Sequence, residues 1–301
     1  MGAVGLASAH IRTAALSGVV VVGAGVVVSV SFAFWPAWWW LVSGAAFAAT
    51  TIFLTNLAPV RIISLLYAVR LLTRVQVVER LAGLSEHVRV GVPRVDEYVV
   101  GATTRRAHAT LVGLGPTRRI LLSDTLLAYY SDDEIEVVVA HELGHHVHRD
   151  VWQMIAFEFL VVLTALAVGG WTMVRLGGMF GVASAGDVAG LPLLALGAGG
   201  VIVASAPIGH ALSRRYERRA DLFAIRLTGN PAAFISSLRR LGAENLVEDH
   251  PTRLVELLCH THPLLHRRLA AARLAVVSET PADRHPRPGQ RPPACPAVLS
   301  G

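Results

Sequence analysis

The chain has 301 residues, 53% of them apolar, a formal net charge of +6 and only two cysteines. A mean hydropathy of +0.52 exceeds ordinary globular usage, and Cys259 and Cys295 lack partners at metal-ligand spacing, which excludes a disulfide scaffold or a cysteine zinc site. The basic residues are all arginine, which points to a GC-rich bacterial source, and they flank apolar segments rather than forming one patch, which argues against nucleic-acid binding.

Four nearly uncharged runs, Thr13 to Phe34, Trp38 to Leu57, Met154 to Met173 and Leu191 to Leu212, each reach the roughly 20 residues that a spanning helix needs. The first is longer than a signal-peptide core and lacks a convincing small-residue cleavage site, so it reads as a retained span. Trp35, Trp38, Trp39 and Trp40 between the first two runs suit a turn at the headgroup layer. Arginines cluster before the first span, after the second, before the third and after the fourth, which predicts both termini and the segment between the second and third spans in the cytoplasm.

The soluble part begins with an arginine-studded apolar stretch, Val60 to Leu84, whose spacing predicts an amphipathic helix. Val95 to Leu122 holds three short β-rich runs separated by Gly and Pro, which predict a small antiparallel sheet. Ser131 and Glu134 form a capping box ahead of the apolar run IEVVVA, so a helix starts there and carries HELGH, with a possible break at Asp150. Asn230 and Pro231 mark the start of another helix, and HPLLHRRLAAARLAVV reads as one more. The proline-rich segment 281–301 predicts a disordered tail. The expected layout is therefore two spans in 1–58, a cytoplasmic insert in 59–153, two spans in 154–212 and a helical part in 213–280. The expected fold class is a mainly α membrane protein, α+β, with about four transmembrane helices and a cytoplasmic domain containing a small antiparallel sheet.

His141 and His145, four apart on a helix, present both rings to one ion, with Glu142 beside them. A catalytic zinc needs a third protein ligand and an open position. His148 lies about 10 Å along the helix axis from His141, too far to share the ion easily, so His146 and His148 read as polar interface residues. Glu217, in SRRYERRADLFA, is the stronger candidate, and Asp221 one turn later can accept the free ring N–H of a ligand histidine. The four neighbouring arginines leave surface pairing open for both acids.

HELGH followed by ERRAD, with GLGPTRRILLSDTLL upstream and THPLLHRRL downstream, resembles the membrane zinc metallopeptidases of the CAAX prenyl endopeptidase and HtpX type. The likeness runs from about Val95 to Leu269. It implies one zinc held by His141, His145 and Glu217, with Glu142 as general base and Asp221 behind a ligand histidine. It also implies that His262 and Arg268, in the His-Pro motif, stabilise the oxyanion. Where the family shows Ala-Asn-Ala this chain has Ala107, His108 and Ala109, and the strand His108, Ala109, Thr110, Leu111 and Val112 is expected to pair with an extended protein or peptide substrate. The expected function is an integral membrane zinc metalloendopeptidase acting on membrane-associated or misfolded proteins from the cytoplasmic side. The alternative is a metalloprotease-like sensor or binding protein in the membrane.

Overall fold

A computed structural model describes residues 18, 22–57, 63, 67–91, 94–100, 107–113, 117–182, 187–244, 252, 255–256, 258 and 260–278. Most of it is helical. The chain divides into two compact units, Met1–Leu54 with Trp152–Gly209, and Thr55–Val151 with His210–Gly301. The proposed tail 281–301 and much of the first apolar run lie outside the described residues.

In the first unit, helix α1 (Val22–Phe34) and helix α2 (Trp39–Ile52) flank a turn at residues 35–38. Helices α6 (Asp150–Leu176) and α7 (Leu191–Thr228) contribute the rest of its core, where Val28, Trp39, Leu166, Met173 and Leu194 are buried together. The Phe32 and Trp39 rings stack with centroids 4.2 Å apart. Two segments, Asp150–Phe180 and Val188–Thr228, are long and apolar enough to cross a membrane. Only 17% and 11% of their apolar windows are buried within the chain, unlike the core helix of a soluble protein. The described parts of the two earlier runs are shorter apolar helices, so two spans of the expected four meet the length criterion among the described residues.

The second unit is built around a four-stranded sheet, β1 (Val69–Leu71), β2 (Val95–Tyr98), β3 (Ala109–Val112) and β4 (Arg119–Ser123), in the order β1-β2-β4-β3. The sheet is mixed, correcting the antiparallel expectation: β1–β2 and β3–β4 are antiparallel, but β2 and β4 run parallel. Strand β4 lies between β2 and β3 in the sheet order. The predicted helix over Val60 to Leu84 is also corrected. Residues 69–71 form strand β1, and helix α3 (Val75–His87) starts after it and buries Val77, Leu81 and Leu84.

Ser123 caps the short helix α4 (Asp124–Tyr129) through its side chain. Helix α5 (Asp132–Val147) opens with the full capping box: the Ser131 hydroxyl accepts from the Glu134 N–H, and the Glu134 carboxylate accepts from the Ser131 N–H. Asn230 Oδ1 accepts from Ala233 N–H at 3.1 Å, starting helix α8 (Pro231–Glu244), and helix α9 (Leu265–Ser278) follows. Ile120 and Leu122 of β4 meet Leu81 and Leu84 of α3, Ile135, Val139 and Leu143 of α5, Ile225 of α7 and Phe234 of α8 in one core. That burial fixes α5 against both the sheet and the C-terminal part of α7, the two elements that supply the site.

Candidate metal centre

The capping box and the sheet contacts hold α5 rigidly, and His141 and His145 lie one turn apart on its last half. Their rings meet edge to face, with centroids 4.8 Å apart and an interplanar angle of 86°. The two Nε2 atoms are 3.2 Å apart. Glu217 on α7 turns both carboxylate oxygens to them, Oε2 at 3.6 Å from His141 Nε2 and Oε1 at 3.5 Å from His145 Nε2. Ligand atoms of the three residues all lie within 4.8 Å of one another.

Close approach of the two helices makes this convergence possible. Gly144 faces α7, and a Cβ there would stand 3.2 Å from Ala220 Cα and 3.1 Å from the Phe223 ring. The small residue inside HELGH therefore sets how near Glu217 comes to the histidines.

The outer nitrogens of the two rings are held from outside. Asp221 Oδ1 lies 3.0 Å from His141 Nδ1, and Asp150 Oδ2 lies 2.9 Å from His145 Nδ1. A carboxylate beside Nδ1 favours the tautomer with the proton there, which leaves each Nε2 as a bare lone pair. Two lone pairs and a carboxylate facing one another call for a cation among them, a metal ion or a proton: burial disfavours a charged ring, but hydrogen bonds to Glu217 and Asp150 raise the His145 pKa to about 9. Zinc bonds of about 2.0–2.1 Å at a tetrahedral angle put two ligand nitrogens roughly 3.3 Å apart, close to the 3.2 Å found here. The donor set of two imidazoles and one carboxylate, with no fourth protein ligand in the cluster among the described residues, fits a catalytic zinc site.

The carboxylates have their own supports. Arg268 forks onto Asp221, Nε to Oδ2 at 2.8 Å and Nη2 to Oδ1 at 2.5 Å, and its Nη2 lies 3.6 Å from Glu217 Oε2. Arg219 donates to Asp150 Oδ1. Buried Arg214, one turn before Glu217, donates from Nη1 to the carbonyls of Glu256 and His260 at 3.2 and 2.7 Å. It thereby clamps the segment leading to His262. His262 itself is exposed, with Nε2 3.4 Å from Glu217 Oε1.

Glu142 lies beside the histidines and shares a small recess with Ala109, Thr110 and Leu111 of β3, with Ile120, Val139 and Leu143 completing its wall. Burial pushes its carboxyl above the ordinary carboxylate range, and Glu217 acts in the same direction, while His141 and His145 oppose them.

The structure thus brings together His141, Glu142, His145, Glu217, Asp221, His262 and Arg268, with Ala109 to Leu111 alongside Glu142. Exposed His108 takes part in the sheet instead, its N–H donating to Ser123 Oγ and its carbonyl accepting from Ser123 N–H. Val112 is buried on the sheet face with Tyr98 and Leu121. Sequence reasoning missed Asp150, Arg219 and Arg214. The one available signal was the Arg149–Asp150 pair at the end of the motif helix, where Arg149 adopts φ +57° and α6 restarts at Asp150.

An HExxH helix joined by a carboxylate from a second helix defines the mononuclear metallopeptidase class. Residues 72–276 match peptidase family M48, and the chain belongs to that family. The uncharacterized metalloprotease YhfN of Bacillus subtilis is 30% identical over 238 residues, which cover 78% of this chain and 56% of that protein. A CAAX prenyl protease 1 homolog of Arabidopsis thaliana is 33% identical over 58% of this chain and 42% of its own length. A protease HtpX homolog of Nostoc punctiforme is 35% identical over 53% of this chain and 54% of its own. The chain spans about half the length of these relatives. The crystal structure of S. mikatae Ste24p shares the fold, with a TM-score of 0.77 over 89% of this chain and 66% of that one at 21% identity.

Proposed function

We propose that this chain is a membrane-embedded zinc metalloendopeptidase in which His141, His145 and Glu217 hold one zinc ion and Glu142 is the general base. The observation that carries the reading is the convergence of two Nε2 lone pairs and the Glu217 carboxylate, each ring fixed from behind by its own aspartate. When bound, zinc acts as a Lewis acid and lowers the pKa of a coordinated water toward about 7. Glu142 accepts the water proton as attack on the scissile carbonyl begins and later delivers it to the leaving amine. The raised affinity of buried Glu142 for a proton suits both halves of that transfer. His262, with Nε2 on the open side of Glu217, donates to the developing oxyanion, and Arg268 adds positive charge while holding Asp221.

The substrate is an extended segment of a polypeptide lying along β3, whose residues Ala109 to Leu111 line a small recess together with Glu142. The arginine pattern around the apolar runs supports a multi-pass protein with the catalytic residues on the cytoplasmic side. The names of the relatives offer two substrate sources, prenylated CAAX proteins and the substrates of HtpX-type proteases. The lysine-free, bacterial character of the sequence favours general processing or quality control of membrane-associated proteins.

The test is to purify the protein in detergent, measure bound zinc and follow cleavage of unfolded β-casein. The wild type cleaves with about one zinc per chain, and Glu142→Gln retains the metal but loses roughly 10²- to 10⁴-fold in rate. A zinc-loaded but inactive wild type would favour the sensor reading, and equal activity of the variant would remove Glu142 from the mechanism.

A further inference from the structure

Strand β3 ends the sheet order, and among the described residues no strand pairs with its outer side. Which of its backbone groups face outward follows from the register. Ile120 N–H donates to the Arg94 carbonyl, toward β2, whereas Ser123 N–H donates to the His108 carbonyl, toward β3. Alternation along β4 therefore directs Arg119, Leu121 and Ser123 at β3, and their partners Val112, Thr110 and His108 point inward. Ala109 and Leu111 turn their N–H and C=O groups to the open edge. An incoming strand would ordinarily find two donors and two acceptors there.

One of the acceptors is engaged. His146, the residue after the second motif histidine on α5, has Nε2 3.3 Å from the Leu111 carbonyl. A carbonyl only accepts, so Nε2 carries the proton and donates. The contact ties the edge strand to the helix bearing His141 and His145. It also leaves Ala109 C=O, Ala109 N–H and Leu111 N–H as the outward groups at this edge.

We propose that His146 is a positioning residue that caps the Leu111 carbonyl and thereby confines the backbone bonding of a bound polypeptide on β3 to a single acceptor, that of Ala109. This rests on the reading of β3 as the substrate strand. The substrate backbone repeats every two residues, so the cap selects which edge groups bond rather than which substrate residue lies beside Glu142. A side chain at position 146 unable to donate frees the second acceptor.

The experiment uses the full-length protein in detergent and a synthetic decapeptide spanning a mapped β-casein cleavage site, with each backbone amide N-methylated in turn. In the wild type, methylation of the one amide that donates to Ala109 C=O raises KM roughly two- to tenfold, the worth of a single hydrogen bond, and methylation two residues away toward the Leu111 side does not. In His146→Leu the second amide becomes sensitive. His146→Gln, which can still donate, keeps the wild-type pattern. Two sensitive amides in the wild type, which needs no variant to fold, or an unchanged pattern in a folded His146→Leu, would overturn the role of His146 and leave the peptidase reading intact. Cleavage insensitive to every methylation would overturn the strand reading beneath it, and cleavage by Glu142→Gln at the wild-type rate would overturn the peptidase reading itself.

Discussion

An imidazole that faces a metal has a second nitrogen, and what holds that nitrogen decides where the first one points. His141 is held by Asp221 and His145 by Asp150, the latter in turn bonded to Arg219. Loss of such a partner typically costs 10- to 100-fold in metal affinity. Asp150→Ala should therefore weaken zinc binding by about that factor in a chelator-competition titration, with secondary structure unchanged by circular dichroism. Zinc affinity equal to wild type would show that the His145 ring is held by packing alone. Asp221 was legible in the sequence because it follows Glu217 by one helical turn. Asp150 was not, because its approach depends on Arg149 entering the left-handed region at φ +57°, which arginine seldom does and no spacing rule announces.

Among the elements, α5 carries most of the site and has the clearest sequence signals. Ser131→Ala removes the cap, and the expected cost is about 1 kcal/mol, measured by chemical denaturation of the detergent-solubilised protein. Glu134 gives this helix a pH dependence. Burial alone would raise its carboxyl, but hydrogen bonds from Ser236, the Ser131 N–H and Arg240, together with the Arg240 charge, bring it below the ordinary value of 4.5. A carboxyl with a folded-state pKa below its unfolded one contributes stability that is present above the unfolded value and fades as pH falls through the folded one. Stability should thus fall on acidification below about 4.5, and Glu134→Gln should flatten that fall. A slope unchanged by the substitution would contradict the assignment. Gly144→Ala pushes α5 against the Ala220 backbone, so a loss of about 1–3 kcal/mol is expected together with weaker zinc binding. The sheet was less legible. Strand β1 lies inside an apolar, arginine-rich stretch that satisfies helical and strand periodicity alike, and the parallel β2–β4 pairing depends on a long connection whose path local sequence does not dictate.

For the whole molecule, composition carried the outline: apolar segments for the bilayer and a soluble part holding the HExxH helix. Two segments have the length and exposed apolar surface of spanning helices, with Leu160, Val174, Leu196 and Val203 exposed. The expressed protein should remain in the membrane pellet after alkaline carbonate extraction, and release into the supernatant would contradict the spanning reading. The donors of the site are more than 70 residues apart in sequence, from His145 to Glu217, yet both lie in the second unit. The most direct measurement is zinc K-edge absorption spectroscopy on the purified wild type and Glu217→Ala. About one zinc per chain is expected, with two imidazole nitrogens among light-atom ligands at about 2.0–2.1 Å and loss of most of the metal in the variant. Sulfur in the coordination sphere, or full zinc occupancy without Glu217, would contradict this coordination.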